Sequence, residues 1–495
     1  MKQITLPLIL IVFLNACSVV NAEVEGTPVF GQGIMTGEVS DTTAVVQARL
    51  TNGVSLVDGD RFEGGDALRD GDLPGAVGRV RFSYRPADAA DGDPFVSTDW
   101  IQVSAETDHI ARALLRGLKP GVKYWCIASI EGIEGSVPAA TQATCTFRTL
   151  YGSALTGSIR FHVVTGMNYD KFIGNERQRG YQGNDRAQGY PAYSAMANLL
   201  PHFVVYTGDD IYYDKTPQVK TLADMRAKWH RQFAFPRFID MSARVPGYWM
   251  KDDHDHRTND SDATGDYFPS HELGIKTFRE QLPIFAQDDD TSPTYRTHRV
   301  SKDLQIWLLE GRDYRSPNKM EDGPEKTIWG AEQKAWLKKT LLESDATHRV
   351  IISPTPMVGP DDGYKRDNHT NPKGFKHEGD AFKAWAKEQG LWEKDAGVYI
   401  VCGDRHWQYH SIDPSGAHEF SSGAICDANS RLGRKPGDPK STDPDATIKQ
   451  PYYQRPASGG FLSVVSEPGE EGGAATIRFE FYDEKGELLY QYQAE

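Results

Sequence analysis

The chain has 495 residues, of which 39% are hydrophobic, 25% charged and 11% aromatic, a composition that fits a globular protein and excludes a disordered or fibrous one. Its length exceeds what a single hydrophobic core serves, so two folded units are expected after any leader. The formal charge of −14 argues against a nucleic-acid-binding surface, which needs a concentrated positive patch, and leaves an anionic ligand to be drawn in by metal ions or a few local basic side chains.

Residues 1–22 carry a targeting signal. Lys2 supplies a positive start, and Leu6 to Leu14 is an apolar run too short to span a bilayer. Val20-Asn21-Ala22 is a small-residue cleavage site that would release a soluble protein beginning near Glu23. Leu14-Asn15-Ala16-Cys17 resembles a bacterial lipobox, with a leader ending at Ala16 and a lipid anchor on Cys17. Both readings predict export: to a periplasm, to the medium, or to a cell surface. No later stretch is long and apolar enough for a transmembrane span. Beyond the leader stand Cys126, Cys145, Cys402 and Cys426, spaced unlike any zinc-binding pattern. Export permits disulfides. Cys126 and Cys145 fall on neighbouring predicted strands and are candidates to pair; Cys402 with Cys426 is the weaker candidate.

Residues 27–150 read as an all-β unit. Ala44–Arg49, Gly78–Tyr84 and Val122–Ile127 are short runs rich in β-branched and aromatic residues, divided by turn residues. Asn52 to Ala76 is a Gly/Asp-rich insertion and hence a surface loop. Leu118-Lys119-Pro120-Gly121, followed by Tyr124 and closed by Thr146-Phe147-Arg148-Thr149, resembles a fibronectin type III or similar sandwich, in which that tyrosine packs a corner.

From about residue 157 apolar strands alternate with helical stretches, the pattern of an α/β fold. The predicted strands are Arg160–Thr165, His202–Thr207, Gly247–Met250, Leu304–Leu309, Arg349–Ser353 and Gly397–Cys402. The predicted helices are Ser194–Leu200, Thr221–Gln232, His271–Leu282, Ala331–Glu343 and Asp380–Gln389. Strands Phe461–Ser466 and Ala475–Tyr482 close the chain.

Metal-competent residues follow directly on these strands, where α/β folds build their sites. Thr207-Gly208-Asp209-Asp210-Ile211-Tyr212-Tyr213-Asp214 follows the second. Lys251-Asp252-Asp253-His254-Asp255-His256-Arg257-Thr258-Asn259-Asp260 follows the third. Gly403-Asp404-Arg405-His406-Trp407-Gln408-Tyr409-His410 follows the sixth. Mixed carboxylates, imidazoles and amides suit hard or borderline cations that keep an open coordination position. A glycine before Asp209 and before Asp404 lets the chain turn sharply and leaves room for a bridging ligand. One Asp-rich loop alone is a solvated turn; three of them, each capping a buried strand, point to a site.

Gly208-Asp209-x-x-Tyr212, Asp252-Asp253-His254 with Asn259, and Gly403-Asp404-x-His406 resemble, in order and spacing, the PhoD-like alkaline phosphatases, relatives of the calcineurin-like and purple acid phosphatases. Arg312-Asp313-Tyr314-Arg315, Gln333-x-x-Trp336-Leu337 and Ser353-Pro354-Thr355-Pro356 fit the same pattern. The resemblance implies an α/β (α+β) metallophosphoesterase sandwich over residues 157–495 with a separate N-terminal β-sandwich. It implies an exported, metal-dependent hydrolase of small phosphate mono- or diesters. Asp209 would bridge two metals, Tyr212 and His406 would ligate an iron-like ion, and Asp252, Asn259 and Asp404 would hold the remaining positions, filled by calcium in family members. Two metals lower the pKa of a bound water and neutralise charge on the departing oxygen. His254 would donate a proton to the leaving alkoxide or bind phosphate, and Arg257 and Arg405 would contact phosphate. His256 and His410 read as structural.

The chain also departs from the family. Thr165-Gly166-Met167-Asn168-Tyr169 stands where the family places a metal-binding cysteine, so Met167 replaces that cysteine in this reading. A thioether carries no charge and is a poor ligand for ferric iron. The expectation moves from iron, which stays an alternative, to calcium or another divalent ion, with Asn168 or Asp170 filling the position or that metal being absent or different. Lys251, where relatives often carry tryptophan, is a smaller anomaly. Residues 360–377 form a long loop whose Lys365, Arg366, Lys373 and Lys376 either clamp an anion near the metals or are simply solvated. Two other functions compete: a surface or polysaccharide-associated binding protein on a decayed scaffold, and a hydrolase of another anionic ester.

Overall fold

The computed structural model describes residues 27–57, 68, 71–131, 141–174, 180–470 and 473–494. The expected leader and Cys17 lie outside these residues, as does much of the Asn52–Ala76 insertion.

The N-terminal part is built of β1 (Ile34–Gly37), β2 (Thr43–Arg49), β3 (Gly78–Pro86), β4 (Val96–Ser97), β5 (Ile101–Val103), β6 (Ile110–Arg116), β7 (Lys123–Ile130) and β8 (Gln142–Arg148). Burial alternates along β3, β7 and β8, because one face of that sheet packs and the other meets solvent. Tyr124 is buried, stacks on Phe147 and accepts the Lys119 backbone N–H at 2.9 Å through its hydroxyl. The corner expected from the Leu-x-Pro-Gly segment is therefore present. Cys126 and Cys145 face one another across β7 and β8 as buried free thiols, and Cys402 and Cys426 are likewise free.

The rest of the chain adds β9 (Ile159–Val164), β10 (Phe203–Tyr206), β11 (Gly247–Trp249), β12 (Arg296–Arg299), β13 (Leu304–Leu308), β14 (His348–Ser353), β15 (Val398–Cys402), β16 (Gln408–Ile412), β17 (His418–Ser422), β18 (Lys449–Tyr453), β19 (Gly460–Glu467), β20 (Thr476–Asp483) and β21 (Leu488–Gln493). The helices used below are α1 (Tyr169–Ile173), α2 (Pro191–Asn198), α3 (Leu222–Phe233), α4 (Pro236–Ser242), α5 (Asp253–His256), α6 (His271–Gln281), α7 (Gly330–Glu343) and α8 (Lys376–Glu388). Strand ends agree with the sequence reading to within a residue or two. The starts of α2 and α8 lie earlier than expected; Pro191 opens α2 at a position where its missing N–H costs nothing.

Two large sheets pack face to face. One runs β21-β20-β19-β9-β10-β11-β1-β2-β6, the other β12-β13-β14-β15-β17-β16-β18. Phe161, Val163, Phe203 and Val205 of the first sheet meet Ile306, Leu308, Val350, Ile352 and Val401 of the second in one apolar core. Alternate residues of the same strands point outward. Val164, Val204 and Tyr206 pack with α2, α3 and α4, while Trp307, Ile351 and Ile400 pack with α7 and α8. The result is a helix–sheet–sheet–helix sandwich, the mixed α/β architecture expected.

The N-terminal strands divide between two sheets. β3, β4, β5, β7 and β8 form a smaller sheet, whereas β1, β2 and β6 continue the first large sheet, β1 pairing parallel with β11 at Gly37 and Gly247. Glycine is required there: a Cβ on Gly37 would lie 2.2 Å from the Pro283 carbonyl oxygen. The expected division between 150 and 157 separates chain segments and leaves the sheet continuous.

Candidate metal centre

β9, β10 and β11 run parallel, as do β13, β14 and β15, so the turns after their C-terminal ends collect at one edge of the sandwich. There Asn168, Lys171, Asp209, Tyr212, Lys215, Asp253, His254, Asn259, Lys365, Asp404, His406, Asn429 and Arg431 line a cavity of about 120 Å³. Three of the residues that build it hold left-handed backbone, with φ of 58° at Asp209, 60° at Asp404 and 51° at His406. Such conformations are costly for residues with a Cβ and persist where the surroundings hold them in place.

The two glycines act differently from the expectation. A Cβ on Gly208 would lie 2.4 Å from the Asp252 backbone nitrogen, and one on Gly403 would lie 2.4 Å from Thr207 Oγ1. They let neighbouring loops touch; the space beside them belongs to backbone and not to a ligand.

Asp209 is the centre of the set. Its Oδ2 accepts the Tyr212 hydroxyl at 2.9 Å and lies 2.7 Å from His406 Nε2, while its Oδ1 is buried without a partner among the described residues. Burial first, then the charges of Asp253 and Asp404, push its carboxyl up to about 7 against the pull of His254. Burial, with Asp209 beside it, drives the Tyr212 phenol well above its ordinary value, and burial, with Arg431 nearby, holds His406 well below its own. Asn429 donates to the Tyr212 hydroxyl at 3.0 Å and to the Gly166 carbonyl at 2.9 Å.

Asp252 is fully buried. Arg312 holds its Oδ1, and its Oδ2 has no partner. Burial, reinforced by Asp253, Asp404 and Asp209, raises this carboxyl far above the usual range despite Arg312. Lys251 is equally buried and bonds Glu310 and Asp313, so the unusual lysine neutralises a structural acidic pair. The Arg312-Asp313 dipeptide clasps Lys251-Asp252 from the facing sheet, and Asp255 ties the first two motif loops by accepting the N–H groups of Asp210 and Asp252. Asp404 keeps one buried oxygen free. Burial opposes its ionisation, but Lys365, Arg405 and Arg431 outweigh it and hold the carboxyl low.

Asp253 and Lys365 join the site although the motif reading passed over the first and left the second between two roles. Ligand atoms of Asp209, Asp253 and His254 lie within 4.8 Å of one another, and those of Asp253, Asp260 and Asp367 do the same. Lys365 Nζ reaches Asp260 Oδ1 at 3.2 Å, Asp404 Oδ1 at 3.7 Å and Asp367 Oδ2 at 3.8 Å. Arg366 and Lys373 are exposed, and Lys376 bonds Asp380, so one cation of the four in that loop reaches the cavity. His254 Nδ1 lies 2.7 Å from Asp214 Oδ1, which leaves the other ring nitrogen for the cavity. Burial works against its positive form, yet Asp253, Asp209 and Asp214 raise its pKa to about 9.

Several expected residues take other roles. Arg257 is 2% exposed and spends its guanidinium on the carbonyls of Pro269, Asp262, Thr264, Gly265 and Tyr267; it organises a loop and has no donor left for phosphate. Arg405 is buried against Asp361 and is absent from the cavity lining. Asn168 lines the cavity, but its Oδ1 caps α1 by accepting the Lys171 N–H at 3.0 Å, so the ligand atom expected of it is engaged. Asp170 pairs with Lys228. Asn259 is exposed at the cavity rim. Met167 points into the apolar cluster around Tyr193, whose hydroxyl contacts its sulfur at 2.6 Å. The residue facing the site is Gly166, whose added Cβ would lie 3.1 Å from His406 Nε2, so Met167 does not stand in the cysteine's place. His256 reaches Ser261 and His271, and His410 reaches His418 and Tyr490, both away from the cavity.

These donors fit cations. Buried carboxylate oxygens without partners are unfavourable alone. Among the described residues Asp209 Oδ1 and Asp404 Oδ2 belong to side chains that line the cavity with an imidazole and a phenol, while Asp252, with a third such oxygen, is buried outside that lining. Donors of these kinds are the set that hard or borderline divalent ions take.

Comparison with known proteins covers the segment that carries this cavity. A family model described as PhoD-like phosphatase matches residues 161–455. Among solved structures, one described as PhoD is 17% identical with a TM-score of 0.67, covering 95% of this chain and 93% of its own. The purple acid phosphatase PPD1 from yellow lupin (Lupinus luteus) seeds is 12% identical with a TM-score of 0.56, covering 94% of this chain and 73% of its own. No curated protein sequence matches the chain.

Proposed function

This chain belongs to the PhoD-like phosphatase family and is a metal-dependent phosphoric ester hydrolase; from that premise we propose that it cleaves small phosphoesters at a two-cation centre held by Asp209, Asp252, Asp404 and His406. Tyr212, Asp253 and Asn259 complete the set. The observation that carries this reading is the group of partnerless buried oxygens, Asp209 Oδ1, Asp252 Oδ2 and Asp404 Oδ2. Bound cations supply charge neutralisation and lower the pKa of a water that attacks phosphorus. The chain's own groups do the rest. His254, whose Nδ1 is held by Asp214 so that its other ring nitrogen faces the cavity, delivers a proton to the departing alkoxide. Asp209 keeps Tyr212 and His406 in place, and Arg312 fixes Asp252.

The donor atoms are oxygen and imidazole nitrogen, and no thiol lines the cavity among the described residues. The carboxylate and amide oxygens suit calcium or another divalent ion, and the Tyr212 and His406 position suits a borderline one. Lys2 and the apolar run to Leu14 support export. Residues 27–150 act as a sandwich that braces the catalytic part, residues 157–495.

Elemental analysis of the purified protein, with p-nitrophenyl phosphate and bis(p-nitrophenyl) phosphate as substrates, tests the reading. Bound metal and phosphate-ester turnover are expected. Asp209→Ala should lower turnover by at least about 10³-fold, because metal charge stabilisation is worth several kcal/mol. Full turnover by Asp209→Ala would sink the proposal.

A further inference from the structure

The cavity floor is acidic, but its rim is not. Lys171 on α1, Lys215 in the turn after β10 and Arg431 beyond β17 converge on the same opening. Lys171 and Lys215 are half-buried and Arg431 is exposed. Lys365 is already engaged by floor carboxylates. By contrast, among the described residues no carboxylate lies within ion-pair distance of Lys171 or Arg431. Among the described residues the Arg431 guanidinium donates only to the backbone carbonyls of Arg405 at 3.2 Å and Asp404 at 3.4 Å. Lys215 contacts Asp214 at 3.1 Å, a carboxylate it shares with His254.

Three cations drawn together in a chain of net charge −14 repel one another. Burial, then Arg431 and Lys215, depress the Lys171 pKa, which reports that crowding. In the metal-free protein the floor acids offset the repulsion. Cations on the floor would cancel that attraction and leave the rim positive, facing outward from the reacting phosphate. The described lining also includes no aliphatic residue: besides Tyr212 it consists of charged groups, imidazoles and the amides of Asn168, Asn259 and Asn429. Such a mouth favours a charged alcohol portion over an apolar one.

We propose that Lys171, Lys215 and Arg431 form a second-anion subsite, so that the preferred phosphoester carries a further phosphate on its alcohol portion. This rests on the phosphoester-hydrolase reading and names its substrate class. Two lysines and an arginine suit a dianionic phosphate, with the planar guanidinium giving paired bonds and the ammonium groups adding charge.

Calorimetric titration of the metal-loaded protein with glucose 6-phosphate and glucose 1,6-bisphosphate tests the subsite by the ratio of their dissociation constants. The bisphosphate should bind roughly tenfold more tightly or better. Lys171→Ala and, separately, Arg431→Gln should bring the ratio towards one. A ratio near one in the unmodified protein overturns the proposal. So does a ratio that survives both substitutions while the two ligands weaken in parallel, since the cations would then serve the reacting phosphate. Turnover of p-nitrophenyl phosphate and bis(p-nitrophenyl) phosphate by the same preparation separates the two ideas. A preserved ratio with neither ester cleaved removes the hydrolase reading, whereas turnover with a ratio of one removes the subsite alone.

Discussion

Arg312 closes on one oxygen of Asp252: Nε lies 2.8 Å from Oδ1, Nη2 contacts the same atom, and Oδ2 is left without a partner. The guanidinium thereby fixes the carboxylate and leaves its second oxygen available for the cation role proposed above. Partners of metal ligands tune affinity through this kind of contact. Arg312→Met should lower metal affinity by about 10–100-fold and activity in parallel. Metal titration followed by turnover at saturating metal checks it, and unchanged affinity in a folded variant would refute the positioning role.

Without metal, stability should fall as pH rises from 3.8 towards about 7. Burial and neighbouring acids raise Asp209 to about 7, and burial, with Asp260 and Asp404, raises Asp367 to about 7 against Lys365. The folded form thus binds these protons more tightly than the unfolded chain. Their stabilising contribution is complete below pH 3.8, the ordinary value, and is lost towards pH 7. Metal addition near pH 7 should then release protons. Calorimetry in buffers of different ionisation enthalpy measures that release; an enthalpy independent of buffer would contradict it.

Glu378 gives the opposite sign. Burial disfavours its charge, but His369, the Thr327 hydroxyl and the Ile328 N–H hold the carboxyl down at about 2. Its contribution is present above pH 4.5 and fades as pH falls through about 2. Glu378→Gln should destabilise the protein by about 1–3 kcal/mol at pH 7, with the gap narrowing in acid. Denaturant titrations at several pH values read this directly; a gap constant down to pH 2 would tell against it.

Arg257→Met should unfold a loop without revealing a phosphate contact. Five backbone carbonyls lose their donor, so a loss of at least about 3 kcal/mol is expected. The measurement is stability beside KM. A stable variant with a raised KM would restore the phosphate-binding role.

The sequence was most legible where local pattern decides the outcome. Apolar runs located β9, β10 and β13 to β15, and the Gly-Asp and Asp-Asp-His segments located the loops that meet at the cavity. It misled where a residue's role depends on distant partners. Nothing near Arg257 or Arg405 reveals that their charges turn inward, to carbonyls and to Asp361. Met167 and Gly166 are neighbours, and only the turn after β9 decides which faces His406. Asp253 was visible in the motif but passed over, because Asp252 carried the resemblance. Lys171 and Arg431 belong to no motif, and their convergence is a product of topology alone.

The single parallel step between β1 and β11 also bears on how the chain can be dissected. A fragment beginning near residue 157 would lose β1, β2 and β6 and expose β11 as a bare hydrogen-bonding edge, a template for pairing with other copies. The first hundred-odd residues therefore act as a built-in stopper against edge-to-edge association, and the hydrolase is best handled as one undivided chain.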